Sequence, residues 1–494
     1  MELKKILLLG ISILALNLSA QTSSDTLDIA KQYYNKSRYT EAANILSKFL
    51  HRNPNNVYAH WLYGEVAHKN GQKKVSASHF EKALDIQPGN DDIRMAYART
   101  LFFSKQLKKS TEEFERIISQ SKNEDYISEA HLMLSYIDFW DMELTSSKYH
   151  VNQILKINPH DNLALQQKAA IEQVSAPYLK VGLEYLNDDQ PLSSFSEKVE
   201  VGMARSNLLN FAFYIKNQNF DTHNQVAMAN LKNTFTISDI DMLITFSAGF
   251  SRHFKDSYDW HGEVEFSKKI VPDLFIKAGL NRQPYLYTEK STYKSYAEKN
   301  FYTIIDYDNL QFFSANFIYQ NKFFSGENHV NTVGGWIMSK YFGLGLVEAK
   351  AGYAFSYSDA KRSSYVPEAP IESYPLGSQL PGFYDFYFTP DNQIIHSAVA
   401  ALKFTISPSL ALYASGGYGI YARNNSPLLF STDDPSGNYT LLRTSYREKF
   451  HPYNLGAKLN YKISEKFNLQ AYYEYQETSF YKLNKAGVQL FYIF

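Results

Sequence analysis

The chain has no cysteine among its 494 residues. This excludes disulfide frameworks, thiolate nucleophiles and thiolate-ligated zinc sites. Net charge is also absent, because 50 basic side chains balance 50 acidic ones. A protein that binds nucleic acid usually carries a basic stripe, so we expect no nucleic-acid partner. The mean hydropathy of -0.37 leaves no room for a bundle of transmembrane helices, each of which needs about 20 apolar residues.

Catalytic and metal-binding patterns are missing as well. The sequence has no Gly-rich phosphate loop, EF-hand spacing or His-x-x-x-His zinc pattern. None of the histidines after residue 177 stands in a recognisable nucleophile motif. We therefore predict no catalytic residue, no cofactor and no metal, and a protein that is not an enzyme.

Aromatic residues are abundant instead, and they are unevenly distributed. Of the 77 Phe, Tyr and Trp residues, 60 lie after residue 176. The two parts of the chain therefore need separate interpretations.

Residues 1–20 have the pattern of a secretory signal peptide. Lys4 and Lys5 precede an apolar run from Ile6 to Leu18, and Ala20 ends a small-residue cleavage site. An uncleaved anchor is the alternative, but the run is short for a membrane span. Because no cysteine follows, a bacterial lipid anchor is excluded. We predict export from the cytoplasm.

A repeated pattern follows the signal. Pro54 and Pro88 are 34 residues apart, and Pro159 follows after 71 more. Aligning the chain on these prolines places small residues at one position and large apolar residues at another. The small residues are Ala30, Gly64, Ala98 and Ser135, and the apolar ones are Leu46, Phe80, Phe114 and Val151. Small residues are needed where two helices cross closely, and large ones where neighbouring repeats stack.

This pattern resembles the tetratricopeptide family over residues 25–160, in four repeats. The third repeat departs from it, since Lys122 replaces the terminal proline. A capping helix near Asp161–Val174 would complete a domain at 25–175, and an ordinary helical bundle is the alternative. The resemblance implies an α-solenoid that binds a protein partner through its groove.

From Pro177 onward the helical period gives way to alternation of polar and apolar residues. In Tyr453–Tyr461, for example, Tyr, Leu and Ala alternate with Asn, Gly and Lys. A soluble sandwich would alternate too, but it would not usually place aromatics at both ends of each apolar face. A transmembrane β-barrel does so, because aromatic girdles lie at the two membrane interfaces.

About sixteen such segments occur between 177 and 494, an even number as bacterial barrels require. If the first strand starts in the periplasm, the turns on that side are short. The long connections Asp359–Asn392 and Ala422–Lys449 then lie outside. The chain ends with alternating residues that resemble the insertion signal of outer-membrane barrels, with an ordinary edge strand as the alternative. These residues are Val488, Leu490, Tyr492 and Phe494.

Repeats followed by a C-terminal barrel resemble the outer-membrane exporters of cellulose and poly-N-acetylglucosamine, and also smaller repeat-barrel proteins. A short match, Phe383–Gln393, is similar to a segment of cellulose-secretion barrels. Cellulose-type exporters have many more repeats, which argues against direct docking to an inner-membrane synthase. The resemblance implies an outer-membrane barrel, surrounded by lipid, that conducts a polymer, with periplasmic repeats that bind a protein.

Alternation also predicts which side chains line the lumen. The candidates are Glu348, Lys350, Lys403, Asn454, Lys458, Asn460, Gln470, Tyr472 and Glu474. Barrel interiors are polar in any case, so a purely structural role is the alternative for each. The aromatics Tyr384, Tyr387 and Phe388 would form an exterior lip or pack within a loop. Because the charges balance, we expect a neutral polysaccharide as cargo. A scaffold whose barrel only anchors the repeats, or a general solute porin, is the alternative.

Overall fold

The computed structural model describes residues 25–189, 192–253, 257–288, 291–292, 295–309, 312–324, 327–344, 346–479 and 481–494. The predicted signal peptide lies outside the described residues. The chain divides into two compact units, Met1–Glu172 and Gln173–Phe494.

The first unit is helical, and its described residues form consecutive antiparallel helix pairs. The helices are α1 (25–35), α2 (Tyr39–Arg52), α3 (Val57–Lys69), α4 (Lys73–Ile86), α5 (Asp91–Phe103), α6 (Leu107–Gln120), α7 (Glu124–Trp140), α8 (Leu144–Ile157) and α9 (Asn162–Ser175). An asparagine starts the first helix of a repeat at three places. Asn56, for instance, accepts a hydrogen bond from the backbone N–H of Ala59 at 2.9 Å, which satisfies a donor that the helix leaves unpaired.

The core of this unit follows the repeat alignment. All four small residues are buried, and so are the four large apolar residues, each 0% exposed. At Gly64, an added Cβ would lie 2.8 Å from the ring of Phe80, so only glycine fits at this helix crossing. None of the helices that the structure describes is both long and apolar enough to cross a membrane.

Each of the last three repeats carries a polar pair between its two helices, always 19 residues apart. The pairs are His60–His79 (Nδ1 to Nδ1, 2.8 Å), Arg94–Glu113 (2.7 Å) and His131–His150 (Nδ1 to Nδ1, 2.8 Å). Burial lowers the pKa of His79 and of His131 to about 4, and it also lowers the pKa of His150. His79, His131 and His150 are therefore neutral at pH 7.

The second unit is a closed antiparallel barrel of sixteen strands. They are β1 (Tyr178–Asp188), β2 (Leu192–Ala204), β3 (Asn210–Phe220), β4 (Gln225–Ile237), β5 (Met242–His253), β6 (Ser257–Val271), β7 (Leu274–Pro284), β8 (Ala297–Asp308), β9 (Phe313–Phe323), β10 (His329–Ser339), β11 (Val347–Ala360), β12 (Gln393–Ser407), β13 (Leu410–Asp433), β14 (Tyr439–Phe450 and Tyr453–Lys462), β15 (Phe467–Glu477) and β16 (Lys482–Ile493). The interruption of β14 includes Pro452, which has no N–H to donate. The predicted fold class and strand number are confirmed.

Closure comes from the pairing of β1 with β16, which runs from Tyr178↔Ile493 to Asp188↔Leu483. No strand edge is left at this seam. Successive side chains of each strand point to opposite faces. The outer face is apolar and exposed; examples are Val199, Val201 and Ile215, which are 47%, 44% and 53% exposed.

The two ends of the barrel differ in their connections. At the end that carries residue 178, the connections are short, such as the two residues between β6 and β7. At the opposite end, called the mouth below, lie the long connection 361–392 and the upper halves of β13 and β14. The prediction of a loop over Ala422–Lys449 was wrong in part. There the chain forms a β-ladder between Ala422–Asp433 and Tyr439–Phe450.

This ladder and the connection 361–392 pack together into one outer body, defined as residues 361–392 and 419–452. Leu380 pairs with Leu429 in register, and the two are only 2% and 1% exposed. A short hairpin, Tyr365–Pro367 with Gly382–Tyr384, lies within the same connection.

Candidate functional site

The inner face of the barrel is the candidate site, and the strand register defines it. On β15, Tyr472 is opposite Lys458 of β14 and Gly487 of β16. Gly487 is in turn opposite Glu184 of β1. Residues that are paired in register point to the same face of the sheet. These pairs therefore trace the inner face from β14 across β15 and β16 to β1.

All nine residues that alternation assigns to the lumen lie on this face, on β11, β12, β14 and β15. Glu348 and Lys403 are opposite each other and form an ion pair at 2.5 Å. The ammonium of Lys350 lies 5.6 Å from the ring centre of Trp336 and 4.9 Å from that of Tyr341. Such partly exposed pairs contribute about 0–1 kcal/mol, so they hold side chains in place more than they stabilise the barrel.

Tyrosine rings lie flat against the inner wall where a neighbouring strand has glycine. The Tyr472 ring covers Gly487, where an added Cβ would lie 2.5 Å from the phenol. Its hydroxyl donates to Glu184 at 2.5 Å. Tyr302 repeats the arrangement over Gly279, and its hydroxyl reaches Glu263 and Glu265 at 2.8 Å each. These rings are fixed at both ends, which no alternation pattern predicts.

Two recesses of about 550 and 650 Å³ open along the wall formed by β13–β16 and β1. Gln470 lines both, and it donates a hydrogen bond to Asn460 at 2.9 Å. Six neutral amide side chains line the two recesses and are called the amide track: Asn454, Asn460, Asn468, Gln470, Gln476 and Gln489. Asn468, Gln476 and Gln489 were not among the predicted lumen residues, although they share the alternating face of residues that were.

The track is flanked by aromatic and charged groups. Tyr413 and Tyr472 line the first recess, and Tyr178 and Phe491 line the second. Lys485 lies 3.4 Å from Glu184 and 3.5 Å from Glu474. Since that lysine is held between two carboxylates, it offers a ligand little net charge.

The mouth is narrowed by the connection between β7 and β8. Leu286 packs against a cluster on the inner face of β2–β4, which includes Phe220 and Val226. Tyr285, the preceding residue, packs on the other side of the chain against Phe324 of the β9–β10 connection. No sequence pattern predicts this arrangement, because a chain that folds into the lumen follows no strand or helix period.

The predicted loop aromatics lie in this region. Tyr387 is 5% exposed, stacks on Phe324 with ring centres 3.9 Å apart, and accepts a hydrogen bond from Nδ2 of Asn328 at 2.6 Å. Tyr384 and Phe388 contact each other, with ring centres 4.8 Å apart. Tyr387 is therefore buried against residues of the β7–β8 and β9–β10 connections.

Phenols at the mouth remain protonated donors at neutral pH. Burial raises the pKa of Tyr481, in the β15–β16 connection, to about 12. Burial also raises the pKa of Tyr285 and of Tyr384. Within the described residues, no three His, Asp or Glu side chains are grouped as metal ligands would be.

Comparison with known proteins supports the interpretation of the first unit. Residues 27–91 match the family model of the tetratricopeptide repeat. The helical unit contains tetratricopeptide repeats. No curated protein sequence matches the chain.

Several solved structures are similar to parts of this chain. A bacterial polysaccharide outer membrane secretin is 7% identical, covers 65% of this chain and 99% of its own, and has a TM-score of 0.46. The pilF protein of Pseudomonas aeruginosa is 16% identical over 30% of this chain and 67% of its own, with a TM-score of 0.28. YrrB, a tetratricopeptide protein with an unusual peptide-binding site, is 19% identical, covers 31% of this chain and 78% of its own, and has a TM-score of 0.27.

Proposed function

We propose that this protein is an outer-membrane conduit that exports an exopolysaccharide, with its tetratricopeptide unit in the periplasm. The observation that carries the proposal is the closed barrel with a polar inner face and an apolar outer face. In water, an outer face of exposed Val, Ile, Leu and Phe would be unstable. In a bilayer it removes apolar area from water at about 25 cal/mol per Å².

The lengths of the connections support this orientation. Bacterial barrels have short periplasmic turns and longer external loops. The end with short connections carries residue 178, which follows the helical unit in the chain. The predicted signal peptide and the predicted insertion residues Val488, Leu490, Tyr492 and Phe494 agree with this placement. The last four are 43%, 36%, 36% and 59% exposed and lie on the outer face.

The proposed role of the repeats is to bind a periplasmic protein that delivers the polymer. Repeat solenoids of this type are binding surfaces. Four repeats are too few to reach an inner-membrane synthase, so the partner would be soluble or attached to the outer membrane.

Single-channel recording tests the conduit. Purified full-length protein in a planar bilayer should give stable current steps at low voltage. A scaffold that only anchors the repeats would give no current at any voltage, and that result would overturn the proposal. The scaffold remains the second candidate because Tyr285 and Leu286 narrow the mouth.

A further inference from the structure

The two recesses and the residues that narrow the mouth lie on different parts of the inner wall. Leu286 and Tyr285, at the start of the β7–β8 connection, pack at the mouth against β2–β4 and the β9–β10 connection. Both recesses lie elsewhere, along β13–β16 and β1. A polymer that entered from the end with short connections would therefore meet the amide track.

The chemistry of this wall favours one class of ligand. An amide side chain offers two donors and an acceptor and has no charge, so it can bind hydroxyl or acetamido groups. Flat tyrosine rings such as Tyr472 can cover the C–H face of a sugar ring. The neighbouring charges are largely held by one another; Lys180, for example, lies 3.3 Å from Glu200. Lys458, which lines the first recess, is the exception, since no ion pair of the described residues includes it. Apart from this lysine, a polyanion would find little uncompensated positive charge here.

The length of the track also suits a chain. On β15 it runs from Asn468 to Gln476, which at a rise of about 3.4 Å per residue spans roughly 27 Å. Several linked sugar units could contact it at once. Contacts that are repeated and individually weak allow a polymer to slide.

We propose that an uncharged polysaccharide passes off the barrel axis, along the amide track, in contact with Gln470, Asn460 and Tyr472. This inference rests on the proposed function and names the substrate class of the same site.

Protection of an introduced cysteine from chemical modification tests the path. Because the chain has no cysteine of its own, the introduced thiol is the only one in the protein. Gln470→Cys places it on the track. Gln320→Cys on β9 and Lys277→Cys on β7 place it on the inner face outside both recesses. Full-length protein in liposomes is treated with a charged thiol reagent, with and without cellohexaose.

Cellohexaose at saturating concentration should slow modification at position 470 about tenfold, the ratio that 1.4 kcal/mol gives, and should leave positions 320 and 277 unchanged. Equal protection at all three positions, or none at 470, would overturn the path. Protection of 470 by an oligogalacturonate to the same degree would overturn the uncharged class.

A second measurement uses current instead of labelling. The double variant Asn460→Leu with Gln470→Leu should weaken cellohexaose block of the channel about tenfold, while Gln320→Leu should not. If current persists and the block is equal in both, only the track is wrong. If no variant and no wild-type channel conducts, the conduit itself fails.

Discussion

At the scale of single residues, the two histidine pairs of the repeats link stability to pH. In the folded chain the pKa of His79 and of His131 is about 4, against an ordinary value of 6.5. The unfolded chain therefore binds protons first as the pH falls. Stability is fully present above pH 6.5 and is lost as the pH falls toward 4. At pH 5 each of these histidines lowers the folding equilibrium constant about thirtyfold, which is a loss of about 2 kcal/mol in the free energy of unfolding.

Hydrogen-exchange mass spectrometry of the full-length protein measures this effect. After correction for intrinsic exchange, protection in α3–α4 and α7–α8 should fall between pH 7 and pH 5. Protection in α5–α6, where Arg94 and Glu113 occupy the same positions, should fall less. The variant His79→Asn with His131→Asn should remove most of the dependence. An equal fall in all three repeats, unchanged by these substitutions, would contradict the assignment.

Among single residues, the sequence predicts burial and the face of a strand, but it does not predict contacts between distant positions. Burial at Ala30, Phe80 and Phe114 could be predicted, because the repeat sets those positions by spacing alone. The lumen candidates could be assigned to a face for the same reason. The contact of Tyr472 with Glu184 could not, because it crosses Gly487 and joins residues 288 positions apart.

At the scale of elements, the last strand closes the barrel, and its two faces should differ in how well they accept a charged residue. Val488→Lys would place a charge on the outer face, where the cost in lipid is about 2–4 kcal/mol at the bilayer midplane. Gln489→Lys changes the adjacent residue, which faces the lumen beside Gln470. We expect the first variant to assemble poorly and the second to assemble normally.

Mobility on gels without heating measures this assembly, since a closed barrel resists detergent until it is boiled. The folded fraction in isolated outer membranes is compared for the two variants over a urea series. Equal folded fractions at every urea concentration would show that position 488 does not face lipid.

Element boundaries show why the alternation pattern does not predict the strands within Ala422–Lys449. Strands in the barrel wall alternate because the outer face is apolar and the inner face is polar. The upper halves of β13 and β14 extend beyond that wall, so both faces there carry polar residues such as Arg423, Arg447 and Glu448. Without a two-sided environment, the period that identifies a strand disappears although the ladder continues.

At the scale of the whole molecule, the width of the passage depends on a connection that belongs to no strand. Replacing Tyr285, Leu286 and Tyr287 by Gly, Ser and Gly would remove the packing that holds it across the mouth. We expect single-channel conductance to rise, because the lumen beneath has the width of a sixteen-strand barrel.

Leu376→Ser is the matched control, since Leu376 is 51% exposed within the outer body and has no part in either mouth cluster. Its conductance should equal that of the unchanged protein. If the triple variant also leaves the conductance unchanged, the narrowest point lies elsewhere in the lumen.

The outer body has a consequence for how the surface of this protein can evolve. Its two segments, 361–392 and 419–452, are separated in sequence but bury Leu380 and Leu429 against each other. A recombination event that exchanged only one segment would leave the apolar residue of the other uncovered. In the proposed orientation this body faces the cell exterior, and the two segments should therefore be inherited and replaced as a pair.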